Sequence, residues 1–256
     1  MGPYMKILGL DFESTGLDTN TARIIEVGAC VFETDTNVPI QIYSTFISDV
    51  KIMPEHEEAL KINRIKAEWL DYGVPLEEAL MELNRLIGDH HIEYVMAHNG
   101  NSYDKPLVLA ELNRLGLKGH FLETCKWLDS KDDLPFMEEP QSRKLRHLAL
   151  DAGFINFFEH RAIFDVMTML KIAADYKIED IIEQSKIPWV IIRALVDYDN
   201  REKAKEMRFS WENIGEKKFP KCWVKKIREN LVEIEQKKAE EKNFKIVKIE
   251  NLPTGG

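Results

Sequence analysis

At 256 residues, 44% hydrophobic and 31% charged, the chain is long enough for a full-sized core plus a smaller module or tail. Its net charge of −9 argues against a wholly electrostatic nucleic-acid binder. No apolar run approaches the roughly 18 residues of a membrane helix, and no secretory apolar segment follows the start. Cys30, Cys125 and Cys222 are far apart and form no CxxC pair, so neither a zinc site nor a disulfide framework is indicated. Each reads as a small buried apolar side chain in a reduced, cytoplasmic setting. Met1–Tyr4 reads as an extension before a start at Met5. Gly2 is no myristoylation site, because Lys6 stands where Ser or Thr is required.

Ile7–Leu10 is a short apolar run, read as a strand buried on both faces, with Asp11 and Glu13 at its end and a Thr15-Gly16 turn after them. Ala22–Phe32 and Ile40–Ile47 read as the second and third strands of an antiparallel meander. Glu26 sits within the second strand and reads as a hydrogen-bonded or edge-facing acid. Pro54–Tyr72 is polar with short helical stretches. Pro75–Ile87 is an amphipathic helix, with Pro in the first turn and Leu76, Leu80, Leu83 and Ile87 on one face. Glu93–Ala97 reads as a buried strand, Lys105–Leu115 as a helix and residues 119–128 as a fifth strand. Lys131–Ser142 reads as a polar, Pro-containing loop, and Leu145–Ala152 and Ala162–Tyr176 as helices. Strands in a run, then strands alternating with helices, point to an α/β fold with a mixed central sheet flanked by helices.

Lys177–Lys186 is charged and poorly periodic, which places the domain boundary there. The expected division is a first domain over 1–180, a small module over 187–232 and a charged helix or tail over 233–256, ending in a disordered Pro253–Gly256. From Arg201 to Arg228 there are ten Lys or Arg against four Glu, a net of +6, which leaves the rest of the chain at −15. Phe209, Trp211, Phe219 and Trp223 are interleaved with those cations. Such a pattern suits single-stranded nucleic acid, or a small core that needs its aromatics.

The candidate site is a set of five. Asp11 and Glu13 share one face of a strand, because i and i+2 point the same way. Asp104 and Asp165 open two later helices, and His160 precedes the second of these. Singly, each is an ordinary strand-end or first-turn acid, and His160 an exposed loop residue. Together, at the edges of an α/β sheet, four acids suit two divalent cations of the Mg²⁺ or Mn²⁺ type, and a neutral His suits a general base.

Three segments carry a resemblance. Asp11-Phe12-Glu13-Ser14-Thr15-Gly16-Leu17 is similar to the D-x-E-T-T-G-L motif of the DnaQ-like (DEDDh) 3′→5′ exonucleases, with Ser14 in place of the first Thr. His98-Asn99 through Tyr103-Asp104 is similar to the family's H-N-x-x-x-[FY]-D, with one residue more before Tyr103. His160-Arg161-Ala162-Ile163-Phe164-Asp165 matches H-R-A-x-x-D. The resemblance covers residues 5–176. It implies an RNase H-like fold, Asp11, Glu13, Asp104 and Asp165 as metal ligands, and His160 as the base. It places Thr15, Gly16 and Leu17 against the terminal nucleotide, with Leu17 wedged on the base or else packed in the core. Asn99 and Tyr103 are the remaining substrate-side residues. The family's His-Gly-Ile element is replaced here by Lys61-Ile62-Asn63-Arg64-Ile65. Val196–Trp223 resembles the small domain of exodeoxyribonuclease X-like proteins.

The expectation is therefore a Mg²⁺- or Mn²⁺-dependent 3′→5′ exodeoxyribonuclease with two ions per site, acting on single-stranded DNA 3′ ends. A DNA polymerase or repair partner fits it, and a membrane partner does not. The alternatives are an exoribonuclease of the same fold and a polymerase-associated or DNA-binding subunit.

Overall fold

Alternation within the first strand decides the layering. Strand β1 (Lys6–Ser14) sends Leu8, Leu10 and Phe12 into one apolar core and Ile7 into another. The two-residue period of an extended chain puts Gly9, Asp11 and Glu13 on the Ile7 side. The computed structural model describes residues 5–137, 139–213 and 221–249, in two compact units that divide between Ser185 and Lys186.

In the first unit, β2 (Ile24–Glu33) and β3 (Val38–Phe46) add antiparallel to β1 on one side. On the other side β4 (Tyr94–Ala97) and β5 (Lys126–Asp129) add parallel. The order is β3-β2-β1-β4-β5, the expected five-stranded mixed sheet with β1 at its centre. A helical stretch, α1 (Glu57–Asn63), follows β3. Then α2 (Leu76–His90) and α3 (Asp104–Leu115) close the larger core through Leu80, Leu83, Leu107 and Leu112. A short α4 (Phe121–Thr124) leads into β5.

The other face carries α5 (Leu145–Asp151), α6 (Ala162–Ala173) and α7 (Ile178–Lys186). Leu148, Val166, Met169, Leu170 and Ile181 pack there with Ile7, Cys30 and Met96. Helix α6 lies almost on the sheet backbone. A Cβ on Gly28 would stand 2.4 Å from Ala162 C and Ile163 N, and one on Gly9 would stand 2.8 Å from Leu170 Cδ1. Gly28 is the register partner of Asp11. Glycine at these places lets the first turn of α6, with Asp165, settle beside the end of β1.

Two local expectations are corrected. Residues 119–128 are not one strand: His120 caps the turn α4 with its ring and Glu123 answers from the third position, so extended chain begins only at Lys126. Residues 178–186 are periodic after all, a helix with Ile178, Ile181 and Ile182 on one buried face, and the two units divide at its end, between Ser185 and Lys186.

The second unit is a four-stranded antiparallel sheet of order β7-β8-β6-β9, with β6 (Trp189–Leu195), β7 (Ser210–Asn213), β8 (Lys221–Arg228) and β9 (Lys245–Ile249). Helices α8 (Arg201–Glu206) and α9 (Val232–Glu241) contribute Ala204 and Ala239 to its core beside Ile192, Phe209, Ile227, Phe244 and Ile246. Residues 233–249 are thus not a tail. Ala239 is buried, Glu235 is held by Lys225 and Lys238, and β9 pairs with β6. Of the interleaved aromatics, Phe209 is core, Trp223 is half-buried against that core, and Trp211 is 54% exposed. Phe219, Met1–Tyr4 and Pro253–Gly256 lie outside the described residues. None of the three cysteines is in a disulfide; Cys30 and Cys222 are buried and Cys125 is half-buried. Among the described residues no helix is long and apolar enough to cross a membrane.

The contact at Gly28 is testable. Gly28→Ala forces its Cβ onto the backbone of α6 and should lower stability by about 1–3 kcal/mol, the usual penalty for overpacking. Gly16→Ala, with nothing within 4 Å of its Cβ, should be near neutral. Urea denaturation midpoints of the two variants measure the difference.

Candidate active site

Each acid arrives from a different part of the sheet edge. Asp11 and Glu13 stand at the C-terminal end of β1 on the α6 side. Asp104 is the first residue of α3, 2% exposed, and its Oδ1 accepts the Phe12 N–H at 3.1 Å. That bond ties the second acid segment to the residue between the first two acids. Asp165 lies in the first turn of α6. Its Oδ2 accepts the His160 N–H at 3.0 Å and its Oδ1 accepts the Asn156 amide at 2.5 Å. Asp11, Glu13, Asp104, Asp165 and His160 all line one cleft of about 760 Å³. Ligand-capable atoms of Glu13, His160 and Asp165 lie within 4.8 Å of one another. His160 itself is exposed, with a left-handed φ of 61° on the loop before α6.

The turn after β1 is pinned from two sides. The Tyr103 hydroxyl donates to Gly16 O at 2.5 Å and also meets Ser14 Oγ, while the Asn63 amide donates to Ser14 O at 3.0 Å. Leu17 is 90% exposed and lines the cleft, so core packing is excluded for it. The Thr15 side chain does not line the cleft, because it is buried and its Oγ1 accepts the Arg23 N–H at 2.9 Å. Gly16 lies beside the cleft with its carbonyl committed to Tyr103 and Ser14. Asn99 and Tyr103 both line the cleft, and Asn99 Oδ1 accepts from Lys131 Nζ at 2.7 Å.

Several residues had no assigned role in the sequence reading. Asp129, buried at the end of β5, accepts the N–H groups of Asn99, Asn101 and Lys131 at 2.8, 3.1 and 3.0 Å, and so folds the turn that delivers Tyr103 and Asp104. Its signal was available: an acid ending a buried strand, like Asp11. His98 faces the cleft with its Nδ1 2.9 Å from Ser130 Oγ, and burial pushes its ring down to about 4, so it is neutral at pH 7. Lys131, Arg143 and Lys144, from the segment before α5, and Arg146, from the first turn of α5, also line the cleft.

The absence of an ion pair sets the four acids apart from the buried Glu26 and Glu111. Glu26, opposite Glu13 in the sheet, is held by Arg161 at 3.0 Å, and Glu111 by Arg23 at 2.8 Å. Among the described residues none of the four forms an ion pair with Lys or Arg. Burial pushes the Glu13 carboxyl up to about 9, with the charges of Asp165, Glu26 and Asp104 adding to it. Burial and the neighbouring Asp104 and Glu13 hold Asp11 well above the carboxylate range. Asp104 is pushed up to about 7 by burial, against the Phe12 N–H, and Asp165 to about 6, against the His160 N–H. An arrangement that disfavours its own ionised form is one that a bound cation would relieve.

Comparison with known proteins follows the same lines. Residues 8–173 match the family RNase_T, described as an exonuclease. A stretch of 108 residues, 42% of the chain, is 27% identical to a PolC-type DNA polymerase III of Ureaplasma parvum serovar 3, and spans 7% of that polymerase's length. Among solved structures, E. coli exonuclease I in complex with a dT13 oligonucleotide aligns over 88% of this chain and 63% of its own, with a TM-score of 0.60 and 12% identity. The nuclease domain of 3′hExo, a DEDDh family member bound to rAMP, aligns over 68% of this chain and 92% of its own, with a TM-score of 0.57 and 14% identity. At such identities the likeness is one of fold.

The raised carboxyls make a pH prediction with a definite sign. Unfolded, these acids release protons near pH 4. Folded without metal they hold them up to about 6 for Asp165, 7 for Asp104 and 9 for Glu13. Between those limits the folded state binds more protons, so stability falls as pH rises. In chelator, Tm should drop by several degrees between pH 5 and pH 9. Millimolar Mn²⁺ should remove most of that drop, and Asp11→Asn should raise the metal-free Tm at pH 8.

Proposed function

The chain belongs to the exonuclease family RNase_T, and on that premise we propose that it is a metal-dependent 3′→5′ exodeoxyribonuclease. It releases nucleoside monophosphates, mainly from single-stranded DNA ends. The observation that carries this reading is the convergence of Asp11, Glu13, Asp104, Asp165 and His160 on one cleft.

The donor set fits hard divalent cations. It consists of carboxylate oxygens without cationic side-chain partners, crowded enough to raise their own proton affinity. Asp11, Glu13, Asp104 and Asp165 would hold two ions of the Mg²⁺ or Mn²⁺ type. Such ions supply acidification of the attacking water and charge neutralisation at the departing oxygen. The chain's own residues do the rest. His160, on its exposed loop, accepts the water's proton through a ring nitrogen. Leu17 offers an exposed apolar surface to the terminal base. Tyr103 and Asn63 hold the 14–16 turn still while the nucleotide sits against it. Lys131 fixes the Asn99 amide and so its orientation in the cleft. Trp211, exposed in the basic second unit, supports a further contact with the strand. A DNA polymerase or repair assembly is the partner class this reading implies.

The likeness to a nuclease domain bound to rAMP favours one competing reading, an exoribonuclease built on the same site. The shared chemistry leaves tolerance of a 2′-hydroxyl as the discriminator. A 5′-labelled DNA oligonucleotide with Mg²⁺ should give a descending ladder, and the RNA of the same sequence a much slower one. No ladder on either, with Mg²⁺ or Mn²⁺, sinks the proposal. Asp11→Ala should abolish cleavage with the fold intact, and His160→Ala should lower kcat by roughly 10²–10⁴-fold, the usual worth of a general base.

A further inference from the structure

A floor of acids repels the polyanion that it is meant to cut. The same cleft contains four cations, Lys131, Arg143, Lys144 and Arg146. Two of them are already committed. Lys131 donates to Asn99 at 2.7 Å. Arg143 holds both oxygens of Glu139 at 2.8 Å, donates to Lys131 O at 2.6 Å and lies over the Phe136 ring. They brace the loop. Lys144 and Arg146 are different. Both are exposed, neither is paired with a carboxylate among the described residues, and Arg146 Nε meets only His147 Nε2 at 3.2 Å.

We infer that Lys144 and Arg146 grip the backbone of the strand that remains, on the 5′ side of the bond being cut. This rests on the exonuclease reading. A 3′-terminal nucleotide brings only the scissile phosphate, which goes to the acids. A second anion-binding patch in the same cleft therefore serves phosphates further upstream. Two unpaired cations in a chain of net charge −9 are the complement such phosphates require. The partner is thus an extended strand rather than a free nucleotide.

The test uses the full chain carrying Lys144→Ala and Arg146→Ala together, beside a control carrying Lys118→Ala and Lys171→Ala, exposed lysines that do not line the cleft. Binding of an oligothymidylate in Ca²⁺ is measured against KCl. Each lost phosphate contact on a single strand flattens the log–log slope by about 0.7, so the double variant should lose about 1.4 and the control nothing. In Mg²⁺, the ratio of oligonucleotide turnover to hydrolysis of p-nitrophenyl thymidine 5′-monophosphate should fall roughly tenfold, the size expected of two exposed charge contacts. An unchanged slope, or an unchanged ratio because both substrates decline together, overturns the inference. A wild-type enzyme that makes no ladder at all removes the exonuclease reading first, and this inference with it.

Discussion

The structure depends on keeping four carboxylates together without a cationic side chain among them. Burial opposes ionisation of each, and the charges of the other cluster acids add to it for Asp11 and Glu13. Only a framework with a large surplus elsewhere can hold such a cluster. That surplus comes from two apolar cores, one on each face of a five-stranded sheet whose central strand carries two of the acids. Helix α6 brings a third by lying against Gly9 and Gly28, and α3 brings the fourth through a bond to the backbone between the first two.

The way other buried acids are treated sharpens the distinction. Glu26 lies across from Glu13 and is satisfied by Arg161 and by the Ala162 N–H. Glu111 has Arg23 and the Ile24 N–H. Asp129 has three backbone donors. Each of these contributes to the fold by answering a local electrostatic need. Among the described residues none of Asp11, Glu13, Asp104 and Asp165 pairs with Lys or Arg, although Asp104 accepts the Phe12 N–H and Asp165 accepts the His160 N–H and the Asn156 amide. An ion-pair partner marks Glu26 and Glu111 as structural acids, and a buried acidic cluster without one is a candidate for chemistry.

Much of this was legible in the chain. Period-two alternation in β1 gave the shared face of Asp11 and Glu13, and apolar periodicity gave α2. What was not legible depended on contacts distant in sequence. The ring of His120 turns 121–124 into a helix within a stretch whose composition suits a strand. Three isoleucines make α7 part of the first unit, although the stretch reads as charged and poorly periodic. Thr15 looks like a substrate residue until Arg23 is seen to claim its hydroxyl. Lys144 and Arg146 line the cleft from the start of α5, which no local pattern records.

The segment from His98 to Asp104 shows where the site tolerates change. It carries one residue more before Tyr103 than the motif it resembles. The extra length is taken up at once: Asn99 turns left-handed at φ 63°, and Asp129 collects the N–H groups of both Asn99 and Asn101. By Tyr103 the chain is back in register, with the phenol on Gly16 O and Asp104 on the Phe12 N–H. An insertion one step later, between Tyr103 and Asp104, would have no such acceptor and would rotate the acid by about 100° around α3, away from β1. The turn can therefore lengthen, whereas the spacing of Tyr103 and Asp104 cannot, because those two residues reach the same strand from one helix turn.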